Sequence, residues 1–444
     1  MAFEGFNLLR AEIAGIAAVH PVGRVVEVSG GAVIAGGLAS RATLGDRVSI
    51  LSKSNRYIGA EVIALGAGEV RLLCDGAPDG LAIGDRVDLL GQSGIAPDDS
   101  WVGRIVDPFG RPLDGRPILR GPVERALREA PPPAARRRRL GGRLETGLCA
   151  FNTLLPLVRG QRIGLFAGSG VGKSSLLAKF AKGVSADVVV IALIGERGRE
   201  LREFVEKVLG PEGMARSVIV AATSDQSPLV RRRCAWAAMS VAEHFRDRGL
   251  HVLFLADSVT RFAEAHREVA LAGGEAPSLR GFPPSVSHQI MSLAERSGPG
   301  VDGTGDITAI FSVLVAGSDM EEPVADILRG TLDGHVILDR AIAERGRFPA
   351  VDLLRSVSRS LPDAASPEEN ALIGKARKLL GAYDKAEMMI QAGLYATGSD
   401  PTVDAAIRVW PALDALIGMD EAEDTAASFV RLAAILNGPQ RDQR

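Results

Sequence analysis

The chain has 444 residues, 46% hydrophobic and 24% charged, so it is too long for one small binding module, can bury substantial cores and is not intrinsically disordered. Its 52 Lys plus Arg against 54 Asp plus Glu leave a net charge of −2, which excludes a global field drawing it onto nucleic acid or acidic lipid. Cys74, Cys149 and Cys234 form no CxxC pair and the six histidines do not cluster at ligand spacing, so neither a disulfide framework nor a structural zinc site is expected. No apolar run reaches the ~18 residues of a membrane span, and Glu4 and Glu12 precede any sizeable cationic region, so a cytosolic chain is expected.

Residues 1–20 carry Phe3, Phe6, Leu9, Ile13 and Ile16 at spacings of three and four. This pattern predicts an amphipathic helix that either docks on a partner or a membrane surface or packs on its own domain. From Val22 to Leu90 run GRVVEVSGGAVIAG, GDRVSIL, YIGAEVIALG, EVRLLC and GDRVDLLG, short β-prone stretches broken by glycine that predict a small β-barrel or sandwich. Between Arg104 and Arg143, Pro108, Pro112, Pro117, Pro122 and Pro131 to Pro133 leave room for little regular structure. The run Arg136 to Arg139 is expected to be a linker lying over an acidic neighbouring face rather than a nucleic-acid patch.

After Gln161, near-continuously apolar runs alternate with helical ones: RIGLFAG, SSLLAKFAKGV, DVVVIALIG, RELREFVEKVLG, SVIVAA, a long helix near Leu229 to Arg246, and HVLFLADS. This predicts a parallel sheet covered on both faces, an α/β nucleotide-binding core. Beyond Leu361 the β signal ends. Ser366, Pro367 and Glu369 supply a helix N-cap, a first-position proline and a capping-box glutamate, and the region to Asn437 reads as a helical bundle.

Three segments carry chemistry. RIGLF leads into Ala167, Gly168, Ser169, Gly170, Val171, Gly172, Lys173 and Ser174, with Ser175 next, and then an apolar helix. Glycines there let successive backbone N–H groups wrap phosphate oxygens, and the helix N-terminus favours anions. Lys173 is expected to reach the β and γ phosphates of ATP and Ser174 to ligate Mg2+. The strand HVLFLA ends in Asp257, where a carboxylate can hold the metal side of the site. The loop after DVVVIALI is Gly195, Glu196, Arg197, Gly198, Arg199 and Glu200, and Glu196 at a strand end can orient and polarise an attacking water.

FAGSGVGKS, IGERGRE, ADSVTRFAEAHREVALAGGEAP, GSDMEEPVADILRGTLDGHVILDRAIAERGRFPAVD and SVSR together resemble the flagellar and type III secretion ATPases, relatives of the rotary ATP synthase catalytic subunit. The resemblance covers nearly the whole chain and is weakest in the first twenty residues. It implies a homohexamer with nucleotide between subunits, in which Arg359 of SVSR matches an arginine finger supplied to the neighbour. It also implies that Phe348 of RFPAVD stacks on adenine, and that Arg197 and Arg261 match arginines near the reacting phosphate. Non-catalytic subunits of the superfamily resemble this chain but carry glutamine where it has Glu196. The hexameric RNA-dependent transcription terminator needs basic and aromatic residues in its barrel, whereas residues 1–95 here hold eight Lys plus Arg against ten Asp plus Glu, with Phe3, Phe6 and Tyr57 as aromatics.

The fold expected is therefore an α/β RecA-like P-loop ATPase core over residues 95–360, with an N-terminal β-barrel over 21–94 and an α-helical C-terminal domain over 361–444. The function expected is Mg2+-dependent ATP hydrolysis serving flagellar export, with injectisome secretion as the alternative. The resemblance implies as partners a stator protein, a central stalk protein, the export gate, and export substrates with their chaperones. It implies no nucleic acid, and a cytoplasmic location peripheral to the inner membrane.

Overall fold

The computed structural model describes residue 13 and residues 19–29, 31–315 and 320–437. Of the N-terminal stripe, Ile13 is helical and exposed, while Phe3, Phe6, Leu9 and Ile16 lie outside the described residues.

The glycine-punctuated segment forms six antiparallel strands, β1 (Val22–Ser29), β2 (Ala32–Gly36), β3 (Arg47–Leu51), β4 (Tyr57–Leu65), β5 (Glu69–Cys74) and β6 (Arg86–Gly91). They close into a barrel in the order β1-β2-β5-β4-β3-β6, with Gly23 of β1 paired to Val87 of β6. Alternate residues such as Val33 and Ala35, Val70 and Leu72, and Val87 and Leu89 fill its interior, as the two-residue side-chain period of a strand requires.

The proline-rich stretch contributes one strand that its composition hides. Arg104–Val106 (β7) is three residues long, and it pairs in parallel with β10 (Ser217–Thr223) at the edge of the central sheet. Ile105 and Val106 are β-branched, and a strand this short fits between Gly103 and Pro108. Further on, Arg138 lies 2.5 Å from Asp306, Arg137 lies 3.6 Å from Glu295, and Arg136 and Arg139 are exposed. The arginine run thus fastens the linker onto acids of the core.

The other strands of the central sheet are β8 (Arg162–Ala167), β9 (Val188–Glu196), β11 (Val252–Asp257), β12 (Ile307–Leu314), β13 (Gly334–Leu338) and β14 (Val351–Ser358). The order is β14-β13-β8-β12-β11-β9-β10-β7, parallel throughout except that β14 runs antiparallel to β13. Strand β9 explains the unbroken apolar runs. Val189, Ile191 and Leu193 enter the core shared with the phosphate-loop helix and the C-terminal helices, whereas Val188, Val190, Ala192 and Ile194 enter the core beneath helix Pro228–Asp247. Burial on both faces removes any polar alternation. The C-terminal region forms helices Pro367–Gln391, Pro401–Gly418 and Thr425–Asn437. Ser366 and Glu369 close the expected capping box, with Ser366 Oγ accepting from Glu369 N at 3.2 Å and Glu369 Oε2 accepting from Ser366 N at 2.9 Å.

Barrel and core are joined by adjacent arginines on helix Pro228–Asp247. Arg233 donates to the carbonyls of Gly94 and Pro108, and Arg232 lies 2.6 Å from Glu61 of β4 with side chains only 6% and 9% exposed. Burial lowers the Arg232 pKa to about 10, so the cation depends on its carboxylate partner. Replacing Glu61 by leucine would strand that charge. The expected cost is about 3 kcal/mol, read as a lower denaturation midpoint of the full chain, and an unchanged midpoint would show that the pair does not secure the barrel.

Candidate active site

Parallel strands place their C-terminal ends at one edge of the sheet, and the loops that follow them gather there. The loop after β8 turns through Gly170 (φ 78°) and Gly172 (φ 85°) into helix Lys173–Gly183. Both glycines occupy the left-handed region that side chains disfavour, whereas Gly168 has no such constraint. Val171 is buried and anchors the loop, while Ser169, Gly170, Ser174 and Ser175 face outward. The first turn of the helix therefore presents backbone N–H groups, the Ser174 hydroxyl and the Lys173 ammonium on one side.

Asp257 ends β11 next to Leu193 of β9, which places Glu196, three residues on, beside it. The Asp257 carboxylate accepts from Ser312 Oγ at 2.7 Å and from Lys173 Nζ, and Lys173 Nζ also lies 4.0 Å from Glu196 Oε1. Ser174, Glu196 and Asp257 line a cavity of about 190 Å³, bounded further by Glu200, Glu203, Leu201, Phe204 and Val208. Burial first, and then the nearby Asp257 carboxylate, push the Glu196 carboxyl up to about 7, against the opposing pull of Lys173. A carboxyl so poised can exchange a proton near neutrality, as a general base must.

The oxygen donors suit Mg2+, a hard cation normally held by one or two carboxylates or hydroxyls together with phosphate oxygens. Among the described residues no group of three or more His, Cys, Asp or Glu gathers into an all-protein metal cage. Ser174 and Asp257, facing one cavity, match the shared arrangement.

The other expected residues divide. Phe348 lies in the loop between β13 and β14, half exposed, so close to the phosphate loop that a Cβ on Gly172 would stand 3.0 Å from its Cδ1. Arg261, in the first turn of helix Val259–Ala272, places its Cβ 3.4 Å from where a Cβ on Gly195 would be, and donates to Glu264 at 2.9 Å. Arg197 is 79% exposed and pairs with Glu200 at 3.3 Å. Arg359 lies elsewhere. Ala167, at the phosphate-loop end of β8, is level with Leu338 and Val351, whereas Arg359 follows Ser358, the partner of Gly334 at the far end of β13. At ~3.3 Å per residue and ~4.8 Å per strand this is roughly 13 Å along the sheet and 10 Å across it, so Arg359 cannot reach Lys173 of its own chain. Its guanidinium is exposed and donates to the carbonyl of Arg329 at 3.2 Å.

Sequence reasoning missed Ser312, one of two hydroxyls, with Thr308, in the otherwise apolar and almost wholly buried run ITAIFSVL. It also missed the acidic cavity wall of Glu200 and Glu203. Their helix, Gly198–Glu203, passes into a π-helical turn over Phe204–Leu209, which sequence periodicity does not mark.

Residues 147–358 match the ATP synthase alpha/beta family, nucleotide-binding domain, and residues 365–434 match the T3SS EscN ATPase C-terminal domain. The chain is 44% identical over 440 residues to a flagellum-specific ATP synthase of Caulobacter vibrioides, covering 96% of this chain and 99% of that one. Among solved structures it is similar to the assembled ATPase EscN from the type III secretion system of enteropathogenic E. coli (TM-score 0.86, 36% identity, 93% of this chain and all of that one). It is also similar to assembled EscN in complex with its central stalk EscO (TM-score 0.84, 37% identity, the same coverage). With a phosphate loop, two strand-end carboxylates and a likeness that runs from barrel to C-terminal helices, the chain belongs to the flagellum-specific ATP synthase family, the ATPases of type III secretion.

Proposed function

We propose that the chain hydrolyses Mg2+-bound ATP as a homohexamer and that hydrolysis assists export through the flagellar secretion apparatus. The observation that carries this reading is the convergence of Lys173, Ser174, Glu196 and Asp257 at one end of the sheet. In this mechanism the loop amides and Lys173 hold the phosphates, and Glu196 orients a water and accepts its proton. Magnesium, when bound, neutralises phosphate charge, and Ser174 and Asp257 are the groups that would hold it. Phe348 stacks on adenine. Arg261, with its stem beside Gly195, is better placed than the exposed Arg197 to meet a phosphate oxygen.

The finger is Arg359 of a neighbouring subunit, a reading supported by its distance from its own phosphate loop. The complex of EscN with its stalk supports a central stalk partner here, and the names of the sequence relatives favour flagellar over injectisome export. A stator protein, the export gate and chaperoned substrates complete the partners. The N-terminal stripe would mediate contact with the stator, the inner membrane's cytoplasmic face or neighbouring subunits. No helix among the described residues is long and apolar enough to cross a membrane.

Glu196 supplies a pH test. Its carboxyl, raised from 4.5 to about 7, must be ionised to act as a base, so kcat/KM should fall on the acid side with a midpoint near 7. Ionising a group whose folded pKa is raised costs stability. The contribution is intact below 4.5 and is lost as pH rises through about 7. Glu196→Gln should therefore bind ATP, lose about 100-fold or more in turnover, and melt higher than wild type at about pH 8 but not at about pH 4. Wild-type turnover in this variant would remove Glu196 from the mechanism.

The shared site is tested by mixing. Arg359→Ala and Lys173→Ala should each be nearly inactive, since a finger in trans is worth ~10³ to 10⁵ in rate. Mixed hexamers should regain turnover, because some interfaces then pair an intact loop with an intact finger. Absence of recovery at every mixing ratio, with subunit exchange verified, would count against a finger supplied in trans.

A further inference from the structure

The loop that carries Phe348 is wound around the side chain just before it. Arg347 donates from Nη1 to the carbonyl of Pro349 and from Nη2 to that of Val351, both at 2.8 Å, so its guanidinium fills the inside of the turn. Its Nε lies 2.9 Å from Asp414 Oδ1, an ion pair without an aligned hydrogen bond, with side chains 11% and 27% exposed. Burial lowers the Arg347 pKa, and Asp414 is the strongest opposing influence. Asp414 belongs to helix Pro401–Gly418. Four residues on, and hence on the same face, Gly418 comes so close to the loop that a Cβ there would meet the Phe348 carbonyl at 3.2 Å.

A second contact runs parallel to the first. Arg345 pairs with Glu387 at 3.1 Å and lies 6.0 Å from the Trp410 ring, which stacks on Tyr383. Beside these contacts an open cleft of about 600 Å³ separates the loop from the C-terminal helices. Between cleft and phosphate loop, the position of Phe348 is set by the Arg347 strut and by Gly418.

We infer that Arg347 and Asp414 are positioning residues for the nucleotide base: Asp414 holds Arg347, Arg347 holds the turn, and the turn presents the Phe348 ring over Gly172. Neither residue touches the phosphates, so the strut governs how tightly the base is held and leaves the chemical step alone. The C-terminal helical domain thereby sets nucleotide affinity through one ion pair. The inference rests on the proposal that Phe348 stacks on the base.

The test uses the full chain and measures kcat and KM for MgATP, together with Ki for inorganic tripolyphosphate, which has no base. Asp414→Asn should raise KM about three- to tenfold. It should leave kcat within about twofold. Asp414→Glu should restore most of the loss, and inhibition by tripolyphosphate should not change. In a Phe348→Ala background, Asp414→Asn should add nothing further, because its effect passes through the ring. Arg347→Lys keeps the charge opposite Asp414 but not both carbonyl bonds, and it should give the same KM-only signature, so the strut is readable from either side if one variant fails to fold. An unchanged KM, an equal rise in both backgrounds, or a parallel weakening of tripolyphosphate would overturn the inference. If Phe348→Ala itself leaves KM unchanged, the stacking proposal falls and takes this one with it. A normal Phe348→Ala loss beside an inert Asp414→Asn overturns the strut alone.

Discussion

The contact between the Lys173 ammonium and the Asp257 carboxylate, braced by Ser312, fixes where everything else in the site must lie. It joins the helix after β8 to the end of β11 across the intervening strand β12. Its two ends therefore come from different crossovers of the sheet, and the geometry exists only when the parallel order is complete. Glu196 comes to the same place from β9, the next strand over. Three loops far apart in sequence share one edge because all their strands run the same way.

That edge also sets the electrostatics. Four carboxylates, of Glu196, Asp257, Glu200 and Glu203, against the one ammonium of Lys173 leave the pocket short of positive charge, and burial first, then Asp257, raises the Glu196 carboxyl. A carboxyl held near neutrality suits a base that takes up and releases a proton in each turnover. Further positive charge cannot come from Arg359 of the same chain, which stands at the opposite end of the sheet. A strand direction thus bears on assembly: the finger role proposed for Arg359 requires a site that another subunit provides.

Much of this was legible in the sequence. The glycines at 170 and 172 announce a turn through positive φ, and the strand-end positions of Asp257 and Glu196 follow from where apolar runs stop. The six barrel strands coincide with the β-prone runs because each is bounded by a glycine or aspartate turn. What stayed hidden depends on pairing. β7 is three residues in a proline-rich stretch and becomes a strand only because β10 offers it an edge. Ser312 differs from its apolar neighbours by one hydroxyl, which matters only because β12 lies beside β11. The partner of Arg347, 67 residues on in a different domain, leaves no local trace.

Of the arginine–carboxylate pairs that tie the core to its flanking domains, Arg232–Glu61 and Arg347–Asp414 differ in burial. Arg232 and Glu61 are almost entirely removed from water, so neither ion can leave the other without a large desolvation penalty. Arg347 and Asp414 are less completely buried, and part of the Asp414 side chain meets water, although the Arg347 Nε that faces it does not. A pair of the first kind suits a fixed joint. A pair of the second kind sits one residue from the aromatic ring beside the phosphate loop, where any change in it would be felt. The joint to the barrel thus holds two almost fully buried charges, whereas the joint to the C-terminal helices has one edge in water and lies beside the loop that carries Phe348.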